Sequence, residues 1–174
     1  MVISLSGHSS SGKTSLAQRL SQELDWPALS LDSYWLPNAA PLFIQRHGKA
    51  LRCFDHPALY DGARLAHDAA KHAHAIVEGF AAMHYPAVIS ITTFHFHLDV
   101  PWAVCAARRR DRPDPRPSDA SWHAAGMDWH NAIQTLQRQL ESAIILPMGT
   151  MDEYLFRVMS LITESSVRST AATG

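Results

Sequence analysis

Short apolar runs alternate with amphipathic stretches along this chain. Val2 to Ser6 reads as a short strand, and Thr14 to Leu24 then repeats leucine at Leu16, Leu20 and Leu24 with Gln18, Arg19, Gln22 and Glu23 turned away. That is the period of a helix with one buried face. Ala28 to Leu31 is a second strand after the Trp26-Pro27 break. Ser33 to Leu59 shows no period, because Pro37, Pro41, Gly48 and Pro57 interrupt it, and an irregular segment that long in a small domain is usually functional. Gly62 to His72 predicts an Ala-rich helix carrying Leu65, Ala66 and Ala69. Ala75-Ile76-Val77-Glu78 is a continuous apolar run of the kind shown by a strand covered on both faces.

Thr92 to Leu98 is the next strand, and Asp99-Val100-Pro101 supplies an acidic cap and a first-turn proline for a helix through Arg110. The proline-rich, charged stretch from Arg112 to Ser121 reads as a loop. Trp129, Ile133, Leu136 and Leu140 mark one face of a helix to about Ser142, and Ala143 to Leu146 is a last strand. Thr150 and Glu153 have the form of a capping box before a final helix with Leu155, Val158, Met159 and Ile162 as its buried stripe. The small, polar tail from Ser165 is expected to fray.

Strands that alternate with helices predict an α/β domain, a parallel sheet with helices on both faces. The 174 residues suit one domain, residues 1–164, followed by a tail over 165–174. Fifteen basic residues against sixteen acidic ones leave a net charge of −1, which offers no footprint for nucleic acid or an anionic membrane. Any affinity for phosphate must then be local. Cys53 and Cys105 have neither disulfide-framework nor zinc spacing, the first residues lack a basic leader, and no stretch reaches the roughly 18 apolar residues of a membrane span. The expectation is an untargeted protein of the cytoplasm.

Local phosphate chemistry is present. Gly7-His8-Ser9-Ser10-Ser11-Gly12-Lys13-Thr14 fits G-x-x-x-x-G-K-[ST] directly after a strand and before a helix, with Ser15 completing the expected cradle. Glycines let successive N–H groups turn toward phosphate oxygens, and the helix presents its positive end to the same anion. Lys13 is expected to reach the β- and γ-phosphates and Thr14 to ligate magnesium, so ATP or GTP with Mg²⁺ is implied.

Other residues gather at the same sheet edge. Asp32 ends the second strand, where a carboxylate fits either a base on an acceptor hydroxyl or a cap of the turn before Tyr34. Glu78 ends the third, and a carboxylate after a buried run needs a partner, for which the Mg²⁺ shell is a candidate. Arg108, Arg109, Arg110 and Arg112 can neutralise a transferring phosphoryl group, although pairing with a helix C-terminus explains one or two of them. Phe54-Asp55 suits a nucleoside, a ring face for the base and a carboxylate for two sugar hydroxyls, and is also common in turns. His95 and His97 share a strand face, but no third ligand completes a metal site.

Taken with Leu31-Asp32-Ser33-Tyr34, Phe54-Asp55-His56-Pro57, Val77-Glu78-Gly79-Phe80, Arg108-Arg109-Arg110-Asp111 and Met148-Gly149-Thr150, the chain from Val2 to about Thr163 resembles the P-loop kinases of the uridine kinase and nicotinamide riboside kinase group. The resemblance implies a three-layer P-loop NTPase fold with a five-stranded parallel sheet and a small lid over about 109–121. It implies that Asp32 is the base on a nucleoside 5′-hydroxyl, that Phe54 and Asp55 hold base and ribose, with Tyr34 beside them, and that Glu78 lies near the metal. Lid arginines would cover the phosphates, and Trp122 or His123 would supply a second aromatic wall. Asp119, Gly126, Trp129 and the Gly149-Thr150 ending are similar to nicotinamide riboside kinases, whereas Phe54-Asp55-His56-Pro57 is nearer to uridine kinases. Leu31 stands where these relatives usually carry Gln, which leaves the base open. The reading is a kinase moving the γ-phosphate of ATP to the 5′-hydroxyl of a nucleoside-like small molecule, nicotinamide riboside slightly ahead of uridine and cytidine. A kinase of the pantothenate or sugar-acid type and a nucleotide-binding regulatory module are the alternatives.

Overall fold

The computed structural model describes residues 1–46, 48–111, 134–137 and 139–171. Its strands and helices run in the order β1 (Val2–Gly7), α1 (Lys13–Leu24), β2 (Ala28–Ser30), β3 (Leu42–Arg46), β4 (Lys49–Cys53), α2 (Gly62–Ala69), β5 (Ala75–Glu78), α3 (Pro86–Ile91), β6 (Phe94–Asp99), α4 (Trp102–Arg110), β7 (Ala143–Pro147) and α5 (Met151–Ala171). Five of the strands form one sheet in the order β2-β5-β1-β6-β7. Every pairing in it is parallel, as strand-helix alternation requires. Side chains on a strand alternate between faces, so β1 feeds two cores. Ile3 and Leu5 join Phe96, Leu98 and Leu146 under Leu16 and Leu20 of α1 and Val158 and Ile162 of α5. Val2, Ala75 and Val77 pack on the opposite face with Leu65 and Ala69 of α2 and Val88 of α3. This burial on both faces is why β5 reads as an unbroken apolar run.

The structure departs from the sequence expectations at several points. The irregular segment from Ser33 contains an antiparallel hairpin, β3 with β4, pairing Leu42 with Cys53 and Arg46 with Lys49 around Gly48 at φ +72°. A further helix, α3, follows Pro86, which presets the first turn. Asp99 does not cap α4: it stays in β6, paired with Pro147, and Pro101 is the N-cap without any side-chain bond.

Residues 134–137 are helical, but with the polar side inward. Leu136 is 59% exposed, while Gln134 and Gln137 are buried and both donate to the Phe80 carbonyl, at 3.1 and 2.8 Å. That carbonyl needs a donor more than the core needs another leucine. Finally, α5 runs on to Ala171, past Ser165, and its buried stripe includes Tyr154, whose hydroxyl accepts from the Gly149 N–H at 3.0 Å. Among the described residues, no helix is long and apolar enough to cross a membrane.

Candidate active site

The phosphate motif lies between β1 and α1, where the chain turns sharply over the sheet. Gly7 sits at φ +143°, and a Cβ there would lie 2.7 Å from the Leu98 carbonyl oxygen of β6, so only glycine lets the loop leave the strand this close. Ser10 adopts φ +68°, a left-handed conformation uncommon for residues other than glycine. The Ser11 N–H closes the turn on the His8 carbonyl at 3.0 Å. Lys13 is buried, and its Nζ donates to the same carbonyl at 2.8 Å. Two arginines of α4 fold back onto the loop: Arg109 donates to Ser9 Oγ at 2.6 Å and Arg108 to the Ser11 carbonyl at 3.4 Å. The buried Ser11 Oγ has no hydrogen-bond partner among the described residues and lies 3.0 Å from where a Cβ on Gly7 would sit.

Two carboxylates face this loop from adjacent strand ends. Glu78, buried, closes β5 and accepts from Thr14 Oγ1 at 3.3 Å. Asp32 lies in a short 3-10 turn, Leu31–Tyr34, that follows β2 directly, and Ser30 is the register partner of Glu78. The two exits approach closely. A Cβ on Gly79 would lie 2.5 Å from Leu31 Cβ, so the absence of a side chain at Gly79 sets the spacing between the two acids. Asp32, Glu78, Lys13 and Thr14 line one cavity of about 580 Å³, together with Arg109.

The far wall of that cavity is aromatic. Trp35 and Phe54 stack at 6.0 Å and 27°, Tyr60 meets Trp35 edge-on at 5.4 Å, and Phe80 meets Tyr60 at 5.6 Å. A single antiparallel bridge between Trp35 and Tyr60 fixes the group. Tyr60 donates to the Phe54 carbonyl at 2.9 Å, and burial beside the charges of Asp32 and Asp55 pushes its hydroxyl far above the usual phenol range, so it stays a donor. Asp55 lines the cavity, and Arg52 reaches in from the hairpin with its guanidinium 5.1 Å from the Phe54 ring centre.

A second cavity of about 650 Å³ lies on the other side of the phosphate loop, walled by Ser11, Gly12, Ser15 and Arg108 of the motif side and by Gly149, Thr150, Met151 and Tyr154. The capping box forms here, with Glu153 accepting from the Thr150 N–H at 2.7 Å and Thr150 Oγ1 accepting from the Glu153 N–H at 3.3 Å. Ser10, Lys13 and Thr14 border both cavities.

Most of the residues singled out in the sequence therefore converge. Tyr34 does not. Its hydroxyl donates to Asp68 of α2 at 3.1 Å, and the next residue, Trp35, takes the place on the wall, because successive side chains of so tight a turn point in different directions. Arg112, Trp122, His123, Asp119, Gly126, Trp129 and nearly all of the expected lid lie outside the described residues. His95 and His97 are buried inside the sheet, where Ser6 Oγ lies 2.6 Å from His95 Nε2 and 2.9 Å from His97 Nδ1. Burial pushes His95 down to about 4. Trp35, Arg52, Tyr60 and Phe80 were missed, since each comes from a different segment and no spacing links them. Phe80 alone carried a signal, as the residue after the Glu78-Gly79 strand end.

No protein-family model matches this chain, and no curated protein sequence does. Solved structures do resemble it. A sugar kinase from Janibacter superposes with a TM-score of 0.66 at 18% identity, covering 93% of this chain and 94% of the other. A gluconokinase from Sinorhizobium meliloti gives 0.62 at 14% identity over 99% and 97% of the two chains. A shikimate kinase from Bacteroides thetaiotaomicron gives 0.57 at 16% identity over 94% and 98%. The fold is the three-layer P-loop NTPase fold shared with these kinases, a five-stranded parallel sheet with helices on both faces.

Proposed function

We propose that this protein is an ATP-dependent small-molecule kinase of the cytoplasm that transfers a γ-phosphate to an alcohol hydroxyl. The observation that carries this is the pair of cavities meeting at Ser10, Lys13 and Thr14, one walled by the helix-terminus loop and the other holding Asp32 and Glu78. A nucleotide in the first would lay its phosphates along the loop N–H groups at the start of α1. The Thr14 hydroxyl and the buried Glu78 carboxylate, 3.3 Å apart, are the hard oxygen pair that would hold Mg²⁺, and they fit it. That ion, when bound, neutralises phosphate charge.

The chain's own groups do the rest. Lys13 exchanges its bond to the His8 carbonyl for phosphate oxygens, and Arg108 and Arg109, already on the loop, add positive charge where it is needed in transfer. Asp32 accepts the proton of the attacking hydroxyl and orients its oxygen. Trp35, Phe54, Tyr60 and Phe80 exclude water from that end of the site.

For the acceptor, a ribonucleoside 5′-hydroxyl is supported by Phe54 and Asp55 lining the same cavity as Asp32. Nicotinamide riboside, uridine and cytidine are its candidates. A second reading, a sugar acid, is favoured by Arg52 in that cavity and by contacts already made to Phe54: Trp35 at 6.0 Å and Arg52 at 5.1 Å compete with a base for its faces.

The experiment incubates the protein with Mg-ATP and a panel of nucleosides, gluconate, shikimate and pantothenate, and reads added phosphate by mass spectrometry. One phosphorylated product is expected, lost in Asp32→Asn. ATP binding without acceleration of ATP consumption by any small molecule would overturn the kinase and favour a nucleotide-binding regulatory module.

A further inference from the structure

Among the described residues, Arg52 is the cation lining the acceptor-side cavity that is not bonded to the phosphate loop. Lys13 and Arg109 also line that cavity, but both are bonded to the phosphate loop, to the His8 carbonyl and to Ser9 Oγ. Arg52 comes instead from β4, and among the described residues it makes no ion pair; its guanidinium rests against Phe54 at 5.1 Å. A ring face holds a guanidinium in position without consuming any of its five N–H donors. Asp32 and Asp55 on the same side are, when ionised, acceptors only. The complementary molecule therefore has hydroxyl donors for the two acids and a strong acceptor for Arg52.

We infer that Arg52 selects the acceptor by a carboxylate, which decides between the two acceptor readings in favour of a polyhydroxylated acid, whether a sugar acid or an acidic nucleoside, over nicotinamide riboside, uridine and cytidine. A carboxylate is the acceptor that takes a guanidinium through two parallel charge-assisted bonds, whereas a carbonyl takes one neutral-acceptor bond. Phe43 is the cross-strand partner of Arg52 and is 58% exposed, so the hairpin presents an apolar ring beside the charge on one face. Inside the cavity the apolar wall is Trp35, Phe54 and Tyr60, against which the carbon skeleton of an acid can lie while its carboxylate meets the arginine. The inference rests on the phosphoryl-transfer reading for the identity of the reacting hydroxyl, and on Arg52 alone for the charge.

The test uses matched pairs that differ in one carboxylate: gluconate with sorbitol, orotidine with uridine, and nicotinic acid riboside with nicotinamide riboside. Binding of each to the full chain in the presence of Mg-ADP is measured by calorimetry, and the same mixtures with Mg-ATP are read for product by mass spectrometry. The acid of at least one pair is expected to bind roughly tenfold to a hundredfold tighter than its partner, the range of a hydrogen-bonded charge. Arg52→Gln removes most of that ratio, Arg52→Lys restores part of it and Arg52→Glu inverts it, with melting curves confirming that each variant is folded. Equal affinity within every pair, binding by no member of any pair, or a ratio unchanged in Arg52→Gln overturns the assignment. Arg52-dependent binding of the acid without product would leave it standing and defeat the kinase reading, while product formed without charge preference would do the reverse.

Discussion

The two sides of the phosphate loop are built by opposite means. On the side proposed to take the nucleotide the lining residues are contiguous, residues 7–15, and are fixed by the sheet, by α1 and by Arg108 and Arg109. On the side proposed for the acceptor, Trp35, Arg52, Tyr60 and Phe80 come from four separate segments, and the hairpin that carries Arg52 is a two-stranded sheet paired with itself. A polyphosphate is the same for every enzyme that uses it and can be read by backbone N–H groups at a helix end. An acceptor is particular to one enzyme, and its recognition is left to side chains that can change without disturbing the core.

If the halves are separable, Asp32→Asn should lower product formation by roughly 10²–10⁴-fold while Mg-ATP affinity measured by calorimetry stays within about twofold. A parallel loss of nucleotide affinity would break the distinction at once. Stability provides the next test, because Ser6, bonded to both His95 and His97, directly precedes Gly7 of the loop. Burial holds His95 neutral with a folded value of about 4, below the ordinary 6.5, so the unfolded chain takes up a proton that the folded one refuses. The stabilisation is present above pH 6.5 and is lost as pH falls toward 4, by up to something on the order of 3 kcal/mol. Denaturant unfolding at pH 7.5, 5.5 and 4.5 should show the decline, and His95→Asn should flatten it.

Gly79→Ala sharpens the comparison at its seam. A methyl group 2.5 Å from Leu31 Cβ must push the Asp32 turn away from β5, and overpacking of this kind costs about 1–3 kcal/mol. The melting temperature should fall, and the turnover of ATP with an acceptor should fall further than Mg-ATP binding does. The smallest effect is expected from Tyr60→Phe. It removes the bond to the Phe54 carbonyl, costs about 1 kcal/mol and should raise the acceptor KM a few-fold, with faster amide exchange confined to residues 52–60. Exchange spreading into β1 or α1 would mean that the acceptor wall and the donor loop are one cooperative unit.

The same contrast governs what could be read in the sequence. The loop, Glu78 and Asp32 were legible because their chemistry is tied to strand ends and to a fixed spacing, and all five sheet strands overlap segments read as strands from the sequence. The hairpin was not, because Leu42-Phe43-Ile44-Gln45-Arg46 does not alternate and Pro41 and Gly48 look like loop residues. Trp35 was hidden behind Tyr34 for a geometric reason, one step around a tight turn. Periodicity also misassigned Leu136, since it weighs apolar area and not the demand of the Phe80 carbonyl for the amides of Gln134 and Gln137.

The shared border of the two cavities has a kinetic consequence. With Ser10, Lys13 and Thr14 belonging to both and the remaining walls distinct, the nucleotide and acceptor of the proposed reaction could be resident at once, so that transfer would proceed through a ternary complex and not through a phosphorylated enzyme. A single compound that joins an acceptor to a nucleotide through a phosphate chain would be gripped by both sets of walls together. Its affinity would then exceed that of either portion by the effective concentration the link provides.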